Sequence, residues 1–127
     1  MKPPGRYYRC AFAACGLLLA CLPAAADEWT RFRGPNGSGV SDAKTVPAQW
    51  KESDFNWKID LPGKGNSSPV VWDELVFVTA ADNDAGTRTL LAINTADGKT
   101  RWKKNFSYAT YRKHRNNSYA SNTPATD

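Results

Sequence analysis

The chain has 127 residues, 41% of them apolar, and carries seventeen lysines and arginines against twelve acids, a formal net charge of +5. Lys2, Arg6 and Arg9 belong to a leader, and without it fourteen bases face twelve acids, a net charge of +2. That balance takes away the main support for a nucleic-acid partner, which needs a concentrated basic face, because outside one cluster the bases are interspersed with acids.

The leader is the first element. Its three bases precede an apolar run from Ala11 to Leu22 and the small-residue end Pro23-Ala24-Ala25-Ala26, which is the layout of a secretory signal peptide over residues 1–26. The run is shorter than the ~18 to 20 residues that span a bilayer, so no transmembrane segment is expected in the mature chain. Cleavage after Ala26 is the favoured reading. The competing one makes Cys21 a lipid-bearing residue, for which Leu19 is a poor neighbour. The expected location is periplasmic or extracellular. Cys10, Cys15 and Cys21 all lie in the leader, so the mature chain has no thiol for a disulfide, a zinc site or a nucleophile.

Five tryptophans, Trp29, Trp50, Trp57, Trp72 and Trp102, remain, with Gly, Pro, Asn and Asp between short apolar runs. No stretch keeps apolar residues at helical spacing for three turns, so an all-β fold with almost no helix is expected. Residues 27–54 form an extended N-terminal leader, broken at Gly34-Pro35-Asn36-Gly37-Ser38-Gly39 and Val46-Pro47 and held by its aromatics. Strands follow at Phe55 to Leu61, Ser68 to Trp72, Leu75 to Ala80, Thr89 to Asn94 and Thr100 to Asn105, the last four as an antiparallel meander. Val70, Val71, Val76, Val78, Leu90, Leu91 and Ile93 form the packed faces, each contributing ~1.5 to 3 kcal/mol if fully buried. The final hairpin turns at Asp97-Gly98 and is closed by Trp102, expected to be buried.

Repetition is visible as well. Ser67-Ser68-Pro69-Val70 has an echo in Asn122-Thr123-Pro124-Ala125, and this offset fits one four-stranded repeat of ~40 to 45 residues plus an insertion.

The segment Ala92 to Trp102 resembles the tryptophan-docking repeat of the pyrroloquinoline-quinone (PQQ) type β-propellers, Ala-x-Asp-x-x-Thr-Gly-x-x-x-Trp. Ala92, Gly98 and Trp102 match, whereas Asn94 replaces the usual Asp and Asp97 the usual Thr. In addition, Trp29-Thr30-Arg31-Phe32-Arg33-Gly34-Pro35 and Leu61-Pro62-Gly63-Lys64-Gly65 are similar to the start of exported PQQ-like repeat proteins of planctomycete-type bacteria. The resemblance implies one four-stranded antiparallel blade of a PQQ-like β-propeller, with residues 55–127 holding the first blade and the start of the second. The Trp position would pack between blades against the Ala and Gly positions. Rings of about four to eight blades are the rule, so this chain is expected to be the amino-terminal part of an incomplete propeller whose remaining blades are its first partners.

The resemblance leaves two functions open. One is a non-catalytic binding or assembly scaffold. The other is a PQQ-dependent oxidoreductase acting on alcohols or sugars, with PQQ and calcium in the full-length protein. No cofactor residue can be matched in this segment, and no catalytic or metal-ligating residue is expected in it.

Other motifs are weaker. Gly34 to Ser41 and Gly63 to Ser68 lack the lysine spacing and following helix of a phosphate loop, and Asp82-Asn83-Asp84 lacks the remote Glu of a calcium loop. Four Asn-x-Ser matches, at Asn36, Asn66, Asn105 and Asn116, are chance in a bacterial setting. The insertion carrying Tyr111, Arg112, Lys113, His114 and Arg115, with Tyr108 and Tyr119 beside it, reads either as a solvated loop or as a ligand loop. As a ligand loop it would suit an anionic, carbohydrate or protein ligand through charge and ring stacking.

Overall fold

A computed structural model describes residues 28–127, so the signal-peptide and Cys21 readings lie outside the described residues. The fold is all-β: one four-stranded antiparallel sheet in sequential order, made of β1 (Val70–Trp72), β2 (Leu75–Asp82), β3 (Thr87–Asn94) and β4 (Thr100–Ser107). The remaining regular element among the described residues is a single 3-10 turn, Glu52–Asp54.

The expected meander forms, with changed lengths. β1 is shorter than the expected Ser68 to Trp72 because Pro69 has no N–H to donate to a ladder. Ser67 compensates through its side chain: the Thr79 N–H donates to the Ser67 hydroxyl, and that hydroxyl reaches the Thr79 carbonyl, both at 3.3 Å. β2, β3 and β4 each run two residues beyond expectation, ending or starting at Asp82, Thr87 and Ser107. Arg88 and Phe106 thereby enter the sheet as a cross-strand pair. Asp73 makes the β1–β2 turn with a φ of 53°.

The last hairpin departs from a two-residue Asp-Gly turn. Residues 95–99 form the loop, and Asn94 organises it: its side-chain oxygen accepts the Ala96 N–H at 2.8 Å, and its carbonyl accepts the Gly98 N–H at 3.0 Å. Asn94 thus performs the hydrogen bonding an Asp would, without the charge.

Register assigns the two faces. On one, Val76, Val78 and Ala80 stand across from Ile93, Leu91 and Thr89. On the other, Val70, Phe77, Ala92 and Trp102 form one cross-strand row, Thr79, Leu90 and Lys104 the next, and Ala81, Arg88 and Phe106 the third.

The expected strand Phe55 to Leu61 does not pair. It crosses the first face, placing Trp57 and Ile59 against the core of Ala80, Leu91 and Ile93. Its alternating apolar residues, which favour a strand by pattern, serve here as a cover for a sheet face.

Only some aromatics hold the leader. Trp29 bridges β1 through two 2.9 Å backbone hydrogen bonds with Val71 and lies on Gly34, where a methyl group would stand 2.7 Å from its ring. Phe32 and Trp50 are exposed.

The repeat echo has a physical counterpart. The Ser68 N–H donates to the Thr123 hydroxyl at 3.0 Å, so these equivalent positions, 55 residues apart, lie side by side. Residues 120–123 follow the first repeat further, with the Ala120 carbonyl accepting from Asn66 and the Asn122 carbonyl from the Thr79 hydroxyl.

Candidate functional site

The docking motif divides between two tryptophans. Gly98 is buried at a φ of +70°, and the group that covers it is Trp57, whose ring would stand 2.7 Å from a methyl group at that position. The Trp57 indole N–H donates to the Thr95 carbonyl at 2.7 Å, which fixes the ring over the hairpin. Trp102 is 41% exposed, which corrects the expectation that it is buried. It stands across from the fully buried Ala92 and meets Phe77 at 5.9 Å between ring centroids, a tilted pair on the second face. Sequence reasoning missed Trp57 as the partner of Gly98. The available signal was the Trp57-Lys58 pair, which repeats as Trp102-Lys103.

A second constellation lies on the same face as Trp102, at its other end. Tyr108 closes β4 by donating its backbone N–H to the Gly86 carbonyl at 2.9 Å, and the chain from there returns over β3. Arg88 projects from β3 beneath it, its guanidinium carbon 4.7 Å from the Tyr108 ring centroid and 5.9 Å from that of Tyr111. One terminal nitrogen donates to the Tyr111 hydroxyl at 3.1 Å, and Nε is buried with no partner. Tyr119 ties the loop together: its hydroxyl donates to the Tyr111 carbonyl at 2.6 Å, and its ring meets Tyr108 at 4.7 Å and Tyr111 edge-on at 5.0 Å. Partial burial, followed by the neighbouring Tyr119, pushes the Tyr108 phenol above its ordinary value.

Of the basic run, the structure brings two residues to this place. Lys113 lies 5.4 Å from the Tyr119 ring centroid, and with His114 it lines a half-open cavity of about 490 Å³ between the loop and the sheet. Tyr111 lines it too, whereas Arg112 and Arg115 are exposed and do not line it. The His114 Nδ1 accepts the Asn116 N–H at 3.3 Å, a local turn contact. Arg88 was absent from the sequence reading because it lies 23 residues before Tyr111; its signal was a charged residue amid the apolar and β-branched residues of a strand.

Among the described residues no group of three or more His, Cys, Asp or Glu is placed to hold a metal ion, and no helix is long and apolar enough to cross a membrane. The arrangement can bind through charge, hydrogen bonds and ring faces.

A family model described as outer membrane protein assembly factor BamB, built on PQQ-like repeats, matches residues 40–123. No curated protein and no solved structure matches significantly.

Proposed function

Because the chain belongs to this family of PQQ-like propeller repeats, we propose that it is a non-catalytic binding or assembly scaffold, exported to the periplasm or cell surface. The observation that carries this reading is β4. All eight of its residues are exposed, and Trp102 and Phe106 stand 41% and 47% open on a face otherwise framed by the sheet. Its outer edge has no neighbouring strand among the described residues. A rigid sheet that offers apolar rings and an open edge gives a protein segment both contact area and main-chain hydrogen bonds. The occupants that suit such a surface are further blades of the same propeller and the protein clients of an assembly factor. Lys103 and Lys104 between the two rings disfavour indiscriminate edge pairing.

Phe106 replaced by a photo-crosslinking phenylalanine analogue in the full-length protein tests the proposal. The expected result is a cross-link to a defined envelope protein or to another part of the same chain, lost when the analogue is moved to the exposed leader position Val40. A reporter joined to residues 1–26 checks export. Addition of PQQ and calcium to the full-length protein is expected to give neither cofactor absorbance nor dye-linked alcohol oxidation. Both appearing together would replace the scaffold with an oxidoreductase.

A further inference from the structure

The cavity under the 108–124 insertion is built differently from the open face around Trp102. Its basic groups, Arg88, Lys113 and His114, converge without a single Asp or Glu in its lining. Asp82, whose carbonyl is 3.4 Å from the Tyr108 hydroxyl, commits its Oδ1 to the N–H groups of Asp84 and Ala85. The Arg88 Nε is a buried donor with no acceptor. The guanidinium that carries it lines the cavity, and a cation facing a cavity without carboxylates is best completed by an anion.

The remaining walls narrow the class of that anion. Leu90, Phe106 and Tyr119 offer apolar and aromatic surface, while Asn117, Ser118 and Asn122 offer amide and hydroxyl groups. A bare inorganic anion has no use for the rings, and a purely apolar acid none for the amides. A hydroxylated ring bearing one carboxylate uses all three kinds of wall. The volume of about 490 Å³ lies in the range of small-molecule sites.

We propose that this cavity binds a sugar acid of the uronate class, with the carboxylate received by Arg88, supported by Lys113 and His114, and the sugar ring held by the tyrosine-lined loop. The site shares only the Phe106 ring with the docking face, and its charged groups, Arg88, Lys113 and His114, lie outside β4, so loss of sugar-acid binding and loss of protein docking are separable outcomes.

Calorimetric titration of the full-length exported protein with galacturonate, galactose and inorganic phosphate at low salt tests it. Galacturonate is expected to bind saturably and to weaken as salt rises, with galactose and phosphate each about tenfold weaker or more. Arg88→Gln is expected to weaken galacturonate by about tenfold or more, the loss typical of a hydrogen bond to a charged group. Lys113→Gln, on the exposed loop and free of any role in the sheet, is expected to weaken it about threefold, in line with a more solvated charge. Absence of galacturonate binding, equal binding of galactose or phosphate, or unchanged affinity in Lys113→Gln would each overturn the assignment.

Discussion

Trp57 and Trp102 stand in matching sequence contexts, each followed by lysine, yet one is the lid of a hairpin and the other is half open. The difference lies in what receives them. Trp57 meets a glycine with no Cβ and a carbonyl at the right distance for its indole N–H, both supplied by the 94–99 hairpin. Trp102 stands across from Ala92 and meets the Phe77 ring at a tilt of 51°. A tryptophan's burial is thus decided by its receiver rather than by the motif that carries it. The same receiver, repeated along a chain, would couple each repeat to the next.

The largest expected effect falls on the closed member of the pair. Trp57→Ala removes the ring over Gly98, its hydrogen bond to Thr95 and its contact with the core of Ala80, Leu91 and Ile93. It should destabilise the protein by ~3 to 4 kcal/mol, read from chemical denaturation. Gly98→Ala attacks the same contact from the other side, adding a methyl group against the indole at a backbone angle that favours glycine. A loss of ~2 to 3 kcal/mol is expected, and little further loss when it is combined with Trp57→Ala, since the two share one contact. Trp102→Ala should cost only ~1 kcal/mol, the value of partial burial against Ala92 and Phe77. A cost equal to that of Trp57→Ala would break the comparison and show that the open ring is covered in the working protein.

The same distinction explains what was legible in the sequence. The strands from Val70 to Ser107 were readable because local alternation, turn residues and short links all favour one meander, and nothing distant is needed to form it. The segment Phe55 to Leu61 carries the same alternation, but whether it pairs or covers depends on which sheet surface it meets. That is a tertiary fact, and here Trp57 and Ile59 cover a face. The cavity was half legible. Lys113, His114 and Tyr111 advertise themselves as a basic and aromatic run, whereas Arg88 joins them only because β3 and the returning loop cross, a juxtaposition that spacing along the chain does not encode.

The smallest expected effect concerns the receiver itself. Within the 94–99 hairpin the Asp97 carboxylate pairs with the Lys99 ammonium at 2.9 Å while its other oxygen accepts the Lys99 backbone N–H at 3.0 Å. The Lys99 side chain is the main cause that holds the Asp97 carboxyl below its usual value, and Asp97 in turn raises Lys99. A depressed carboxyl stabilises the fold above its unfolded value, about 3.9, and loses that contribution as pH falls through the lower folded value. The raised lysine contributes below about 10.4 and loses its share as pH rises through its higher folded value. Both groups are solvent-exposed, so salt should erode the effect. Asp97→Asn keeps an oxygen for the Lys99 N–H and removes only the charge. It should therefore leave neutral-pH stability almost unchanged while flattening this site's contribution below pH ~4, measured as the denaturation midpoint against pH at two salt concentrations. Should Asp97→Asn instead lower stability strongly at neutral pH, the ion pair, and not the glycine under Trp57, would be what shapes the hairpin.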